Sequence, residues 1–191
     1  MNQKNLLEVD WSKIPAPSDD GGAAHLAGIR IPPVSLLATD DNLVDLSALK
    51  GRTVVFAYPR TGEPGKISLV DDWDMIPGAR GCTPQTCSFR DLFAELKSSG
   101  ARHVFGLSTQ SNAYQAEMAA RLHLPFPVLS DEKLELTRAL DLPTMQVAGL
   151  TLIKRFALVI DDARITHVFY PVFPPDRNAG DVLAWLKENP T

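Results

Sequence analysis

Two cysteines, Cys82 and Cys87, are the only ones in a chain of 191 residues, and they stand five positions apart in the stretch GCTPQTCSFR, residues 81–90. Such a pair can hold a metal, brace a fold or cycle between thiol and disulfide. Structural zinc wants four ligands, and of the four histidines only His103 is near the pair, in a strand-like run. No metal or other cofactor is expected. A chain of this length with 45% apolar residues can bury a core without a covalent staple. Thiol chemistry is the expectation that remains.

From Pro84 the residues PQTCSFRDLFAELKSSG predict a helix in which Thr83 is the cap, Pro84 takes the first helical position and Gly100 terminates. Phe89, Leu92, Phe93 and Leu96 recur at helical spacing and define its buried face. On that wheel Cys82 falls within roughly 20° of the centre of the apolar face and Cys87 on the opposite side, so the two sulfurs are expected to do different jobs. Cys82 sits just before the helix, where unpaired backbone N–H groups and the positive end of the macrodipole favour an anion. A thiolate is such an anion and is the nucleophilic form of the residue. The plainer reading is a small apolar residue at a helix start. In an intact helix, residues five apart have Cα atoms about 8–9 Å apart, whereas a disulfide needs roughly 4.4–6.8 Å. The pair can close only if the first turn or two of helix unwinds.

The elements that must position this helix are legible as punctuation and periodicity. TVVFAY (53–58) and HVFGLS (103–108) are apolar runs of strand length, too continuous for a half-exposed strand and suited to a sheet covered on both faces. Short strands are expected in IRIPPVSLL, NLVDLSALKG and FPVLSD, and helices in AYQAEMAARLHL, EKLELTRALDL and AGDVLAWLKEN. RFALVID and RITHVFY, separated by Asp162 and Ala163, predict a tight hairpin. Crossovers between parallel strands, then a hairpin and a last helix, predict an α/β, thioredoxin-like fold: a central mixed sheet flanked by helices.

Residues 1–24 are rich in Pro, Asp, Ser and Gly and lack periodicity, which predicts an N-terminal arm, mobile unless it docks, with Trp11 as a docking point. The thioredoxin-like domain is expected over 25–191. Within it RTGEPGKISLVDDWDMIPGAR is a long Gly- and Pro-punctuated connection, and connections of that length in a compact domain are often functional. With 19 basic against 23 acidic residues and a net charge of −4, no basic stripe is present and nucleic acid is not expected as a partner. No run of about 18 apolar residues indicates a membrane span, and no signal-peptide core is evident. The expectation is a cytoplasmic protein, where cysteine pairs are more often catalytic or redox-sensing than structural.

These residues resemble a known family. VVFAYPRTG…PGARGCTPQTCSFRDLFAEL is similar to the active-site segment of peroxiredoxins of the Q type, the bacterioferritin-comigratory-protein group. The similarity continues through VFGLSTQSNAYQAEMAARLHLPFPVLSDEKLELTRALDL and RFALVIDDARITHVFY, from about residue 25 to the end. The resemblance implies that Cys82 is the peroxidatic cysteine, Cys87 the resolving cysteine and Arg155 the active-site arginine. A guanidinium at the head of an otherwise apolar strand is costly to bury unless it faces an anion; a solvated strand-end arginine beside Lys154 is the alternative. Two positions depart from the family pattern. The Thr expected three residues before the peroxidatic cysteine is Ala79, and the family's Pro matches Pro59 only across an insertion of about residues 61–76. A polar group of the insertion, Arg80 or a returning Thr61 is available to replace the missing hydroxyl.

The resemblance implies a thiol peroxidase acting on hydrogen peroxide and organic hydroperoxides, reduced by thioredoxin or glutaredoxin, as a monomer or homodimer. A general disulfide oxidoreductase is disfavoured because four residues, not two, separate the cysteines. A redox sensor or binding module is the other alternative, with the absent Thr as its mark.

Overall fold

The computed structural model describes residues 9–191. Its centre is a seven-stranded mixed sheet built from β1 (Ser35–Ala38), β2 (Leu43–Asp45), β3 (Arg52–Ala57), β4 (His103–Ser108), β5 (Val128–Ser130), β8 (Phe156–Asp161) and β9 (Arg164–Phe169), in the order β2-β1-β5-β4-β3-β8-β9. β3, β4 and β5 run parallel, while β1, β8 and β9 pair antiparallel with their neighbours. Every residue of β3 is buried, and the alternation of side chains along the strand shows why. Val54 and Phe56 join the core under α1 (Cys82–Asp91), α2 (Phe93–Ser98), α3 (Asn112–Arg121) and α5 (Asn178–Glu188), whereas Val55 and Ala57 join the opposite core under α4 (Glu135–Leu140). A strand covered on both faces has no polar side to show, hence its unbroken apolar run. This is the expected α/β, thioredoxin-like arrangement.

Four local features differ from the sequence expectation. The helix expected from Pro84 to Gly100 begins two residues earlier and breaks at Leu92, whose φ of −98° and ψ of 11° separate α1 from α2. Thr83 lies inside α1 rather than capping it; Gly81, in the left-handed region at φ 106°, is the capping residue. A second, two-stranded sheet, β6 (Thr144–Val147) with β7 (Leu150–Ile153), precedes β8. Ala148 and Gly149 turn this hairpin with positive φ, and the alanine there disguises a turn usually marked by Asn-Gly. Finally, Cys87, expected opposite the buried face, is itself buried.

The long connection has no strand or α-helix between Tyr58 and Gly81, only a 3-10 turn at Trp73–Met75. It is nevertheless packed: Trp73 and Ala79 form a small core with Val147 and Leu152 of the β6–β7 hairpin. The N-terminal arm docks too. The Trp11 indole Nε1 donates to Asp176 Oδ2 at 2.9 Å, and the Tyr170 hydroxyl donates to Asp20 Oδ1 at 2.6 Å.

The end of α1 is tied to the sheet by Phe89, which is fully buried and stacked on Phe56 with centroids 4.0 Å apart and planes 6° from parallel. Phe89→Ala is expected to destabilise the fold by about 3–5 kcal/mol, the range for emptying a buried aromatic site. Urea unfolding followed by far-UV circular dichroism checks this through a lowered midpoint at unchanged slope.

Candidate active site

Cys82 is the first residue of α1, and the chain enters that helix through a turn only glycine accommodates well. At Gly81 φ is 106°, and an added Cβ would lie 2.6 Å from Pro175 Cγ and 2.7 Å from Trp11 Cη2. The first helical hydrogen bond runs from the Gln85 N–H to the Gly81 carbonyl at 3.0 Å, and the Thr86 hydroxyl donates to the Cys82 carbonyl at 2.9 Å. The amides of Cys82 and Thr83 therefore stand at the positive end of the helix without an intrahelical acceptor, and Pro84 has no N–H to satisfy.

Arg155 reaches the same point from the other side of the sheet edge. Ala57, the last residue of β3, pairs with Phe156, the first of β8, so Arg155 sits opposite the step that leads out of β3 toward the active-site loop. Its Nη2 donates to Cys82 Sγ at 3.3 Å and lies within hydrogen-bond reach of the carbonyls of Gly78, Ala79 and Arg80 at 3.2, 3.3 and 3.1 Å. Its Nη1 donates to Gln85 Oε1. The side chain is 97% buried and its Nε has no partner among the described residues. Carbonyl and amide dipoles solvate this guanidinium without neutralising it, and Cys82 Sγ, which also lies 3.5 Å from the Ala79 carbonyl, is the group in contact that could carry an opposite charge. The solvated strand-end arginine is not what the structure shows.

Gln85 was not singled out by the sequence, although it stands three residues after Cys82, on the same helical face. It is fully buried, accepts from Arg155 and donates through Nε2 to Asn178 Oδ1 at 2.9 Å and the Ala57 carbonyl at 3.4 Å. It thus ties Arg155 to β3 and to the start of α5. Tyr58 closes the floor, its hydroxyl donating to Gln115 Oε1 at 3.0 Å. Burial, and secondly the neighbouring Cys82 charge, push its phenol well above the ordinary range, so it stays protonated.

A groove leads to Cys82 from the surface, lined by Arg60, Thr61, Ile67, Trp73 and Arg80. Thr61 does return to the site, but its hydroxyl donates to Gln110 Oε1 at 3.1 Å and is committed there. Arg80 is turned to Asp74, at 3.3 Å. Cys87 lies a turn and a half along α1, buried and free, as Cys82 is. Burial pushes its thiol above the ordinary value, against smaller opposing effects of Arg90 and Arg121.

The redoxin family profile matches residues 26–183. Peroxiredoxin Bcp of Escherichia coli (strain K12) is 32% identical over 168 residues, 85% of this chain and 96% of its own length. Chloroplastic peroxiredoxin Q of Oryza sativa subsp. japonica is 31% identical over 162 residues, 84% of this chain and 66% of its own, so the chain spans about two thirds of that relative. Among solved structures, peroxidoxin BcpB of Mycobacterium tuberculosis superposes with a TM-score of 0.69 at 26% identity, covering 86% of this chain and 98% of that one. The fold and the site define a redoxin. The chain belongs to the peroxiredoxin Q and Bcp family within it.

Two outcomes follow from this geometry. Iodoacetamide consumes thiolate, so in the reduced, folded protein at pH 7 the label should enter Cys82 and spare Cys87, whose raised value keeps it protonated. Cys87 labelling should grow as pH rises beyond the ordinary thiol range and should match Cys82 in denaturant, as peptide mass mapping would show. Gln85→Ala should slow alkylation of Cys82 several-fold at pH 7, since it frees Arg155 Nη1, and Gln85→Glu should not restore the rate, because a carboxylate there offers the guanidinium a competing countercharge.

Proposed function

We propose that this protein is a thiol peroxidase that reduces hydrogen peroxide and small organic hydroperoxides through Cys82, resolved by Cys87. The observation that carries the reading is the 3.3 Å contact from a buried Arg155 to Cys82 Sγ at the first residue of a helix. The Cys82 thiolate attacks the terminal peroxide oxygen, the O–O bond breaks, and the departing oxygen takes up a proton to leave as water or alcohol. Cys82 is then a sulfenic acid. Arg155 and the amides at the start of α1 stabilise the thiolate and the charge spreading over the two oxygens. The Cys87 thiol next attacks the sulfenic sulfur, forming the disulfide and releasing water. An external dithiol, thioredoxin or glutaredoxin, returns both cysteines to thiols by exchange.

Ala79 offers no hydroxyl where the family has Thr, so Arg155 and the helix-start amides carry the polarisation of the peroxide here. That substitution also favours a second reading, a redox sensor oxidised at the same cysteine without sustained turnover. Among the described residues no helix is long and apolar enough to cross a membrane. A pair that must be reduced after every turnover suits a reducing compartment, and we assign the protein to the cytoplasm on that ground.

Stopped-flow mixing of reduced protein with hydrogen peroxide and with a bulky organic hydroperoxide tests the proposal. Cys82→Ser should abolish peroxide consumption, while Cys87→Ser should allow one turnover and leave a sulfenic acid on Cys82 that dimedone traps. Arg155→Met should slow peroxide reduction at least tenfold, about 1.4 kcal/mol of barrier. Equal residual activity in the two cysteine variants would reject the assigned roles, and one-turnover oxidation without catalysis in the wild type with added reductant would favour the sensor.

A further inference from the structure

The disulfide cannot form in the structure described. Residues five apart on a helix hold their Cα atoms about 8–9 Å from each other, beyond the roughly 4.4–6.8 Å that a disulfide spans. The first turns of α1 must open, and beyond them Phe89 is stacked on Phe56. At the near end is Gly81, packed by Pro175 and by Trp11, of which only Trp11 lies outside the redoxin match. The profile begins at residue 26, whereas the indole of Trp11 lies so close to Gly81 that a Cβ there would meet Cη2 at 2.7 Å.

Trp11 is held in that position by two contacts. Its Nε1 donates to Asp176 Oδ2 at 2.9 Å and its ring meets Phe173 edge-on with centroids 6.0 Å apart, while Pro175 shares the contact with Gly81. Further along the arm, Pro17 lies against Gly78, where a Cβ would be 3.5 Å from Pro17 Cβ. Asp20 pairs with Lys154, beside Arg155, and accepts from the Tyr170 hydroxyl. Pro17, Ser18 and Asp20 also wall a cavity on the side of Arg155 that faces the arm. The arm thus touches Gly78 and Gly81, just before Cys82, and shares a cavity wall with the arginine that holds this loop.

We propose that residues 11–20 are a redox-responsive strap and that Trp11 is a positioning residue that acts through Gly81 to set how readily α1 opens. The inference rests on the pairing of Cys82 with Cys87 proposed above. A contact present in only one of two states shifts their equilibrium toward that state by its own differential free energy. Trp11 packs on Gly81 in the turn geometry that starts α1, so it stabilises the closed form, in which Cys82 meets peroxide. It opposes the open form, in which Cys82 sulfenic acid and Cys87 thiol condense to the disulfide and water. Formation of the disulfide in turn releases the strap.

The test separates the two chemical steps in the full chain. In Trp11→Ala, the second-order reaction of Cys82 with hydrogen peroxide should stay within about twofold of wild type, while the following first-order formation of the disulfide should accelerate about tenfold, equivalent to about 1.4 kcal/mol. Over-oxidation of Cys82 at high peroxide should fall correspondingly. Asp176→Ala removes the bond to Nε1 and leaves the indole on Gly81, so it should leave the second step closer to wild type than Trp11→Ala does. Equal slowing of both steps would make Trp11 an ordinary stabilising residue, and no change in either would make the contact passive; both results overturn the proposal. Amide hydrogen exchange supplies the second readout. It should rise across residues 11–20 when the disulfide is made with diamide, which needs no peroxidase activity, and not when Cys87→Ser is oxidised to the sulfenic acid. Undisturbed exchange in the arm of the diamide-made disulfide overturns the strap even where the peroxidase reading stands; a strap released by diamide in a protein that consumes no peroxide overturns the peroxidase reading alone.

Discussion

The arrangement depends on one buried cation. Arg155 is enclosed by carbonyls of residues 78–80, by the amide oxygen of Gln85 and by Cys82 Sγ. Removing a guanidinium from water costs several kcal/mol unless dipoles and an opposite charge replace the lost hydration. Carbonyls meet the first requirement, and in the proposed mechanism a Cys82 thiolate meets the second. The same hydrogen bonds order the loop before α1 and set the sulfur at the helix start, so the loop, the arginine and Cys82 stand or fall together.

Everything around this cation serves to keep its partners in place. The β3–β8 register sets Arg155 opposite the exit from β3. Gln85 and Asn178 connect it to α5. The β6–β7 hairpin delivers the chain to Arg155 from one side and carries the packing of Trp73 and Ala79 on the other, so the 61–76 connection shares its support with the arginine. The site is built from segments far apart in the chain, and such a site is rigid only while each segment is held by its neighbours.

Against this rigidity stands the requirement of the cysteine pair. Both thiols are buried, with 3% and 6% exposure, on a helix that holds them out of bonding range. A chemistry that needs both the ordered and the opened helix places its two steps in two conformations, and the contacts that favour one necessarily oppose the other. The break at Leu92 and the Phe56–Phe89 stack mark where order can persist while the first turns are lost.

Much of this was legible in the chain itself. The apolar runs of β3 and β4, the β8–β9 hairpin and the helix bearing the cysteines follow from periodicity and turn residues, because doubly covered strands and amphipathic helices are local patterns. The interval of five determined that Cys82 and Cys87 cannot bond in an intact helix, whereas the different roles expected for them rested on a wheel that put Cys87 opposite the buried face. Tertiary structure decided the rest. Cys87 is buried on the face that the wheel assigns to solvent, and no local pattern records what lies above a helix. The hairpin turned by Ala148 and Gly149 escaped detection for want of an Asn-Gly signal. Gln85 and Trp11 acquire their roles only through Asn178, Asp176 and Pro175, more than ninety residues away, since a hydrogen bond or a ring contact between distant segments leaves no spacing to read. The sequence by itself determined which atom can act as nucleophile; only the folded chain decided what charge faces it and what must move before its partner can reach it.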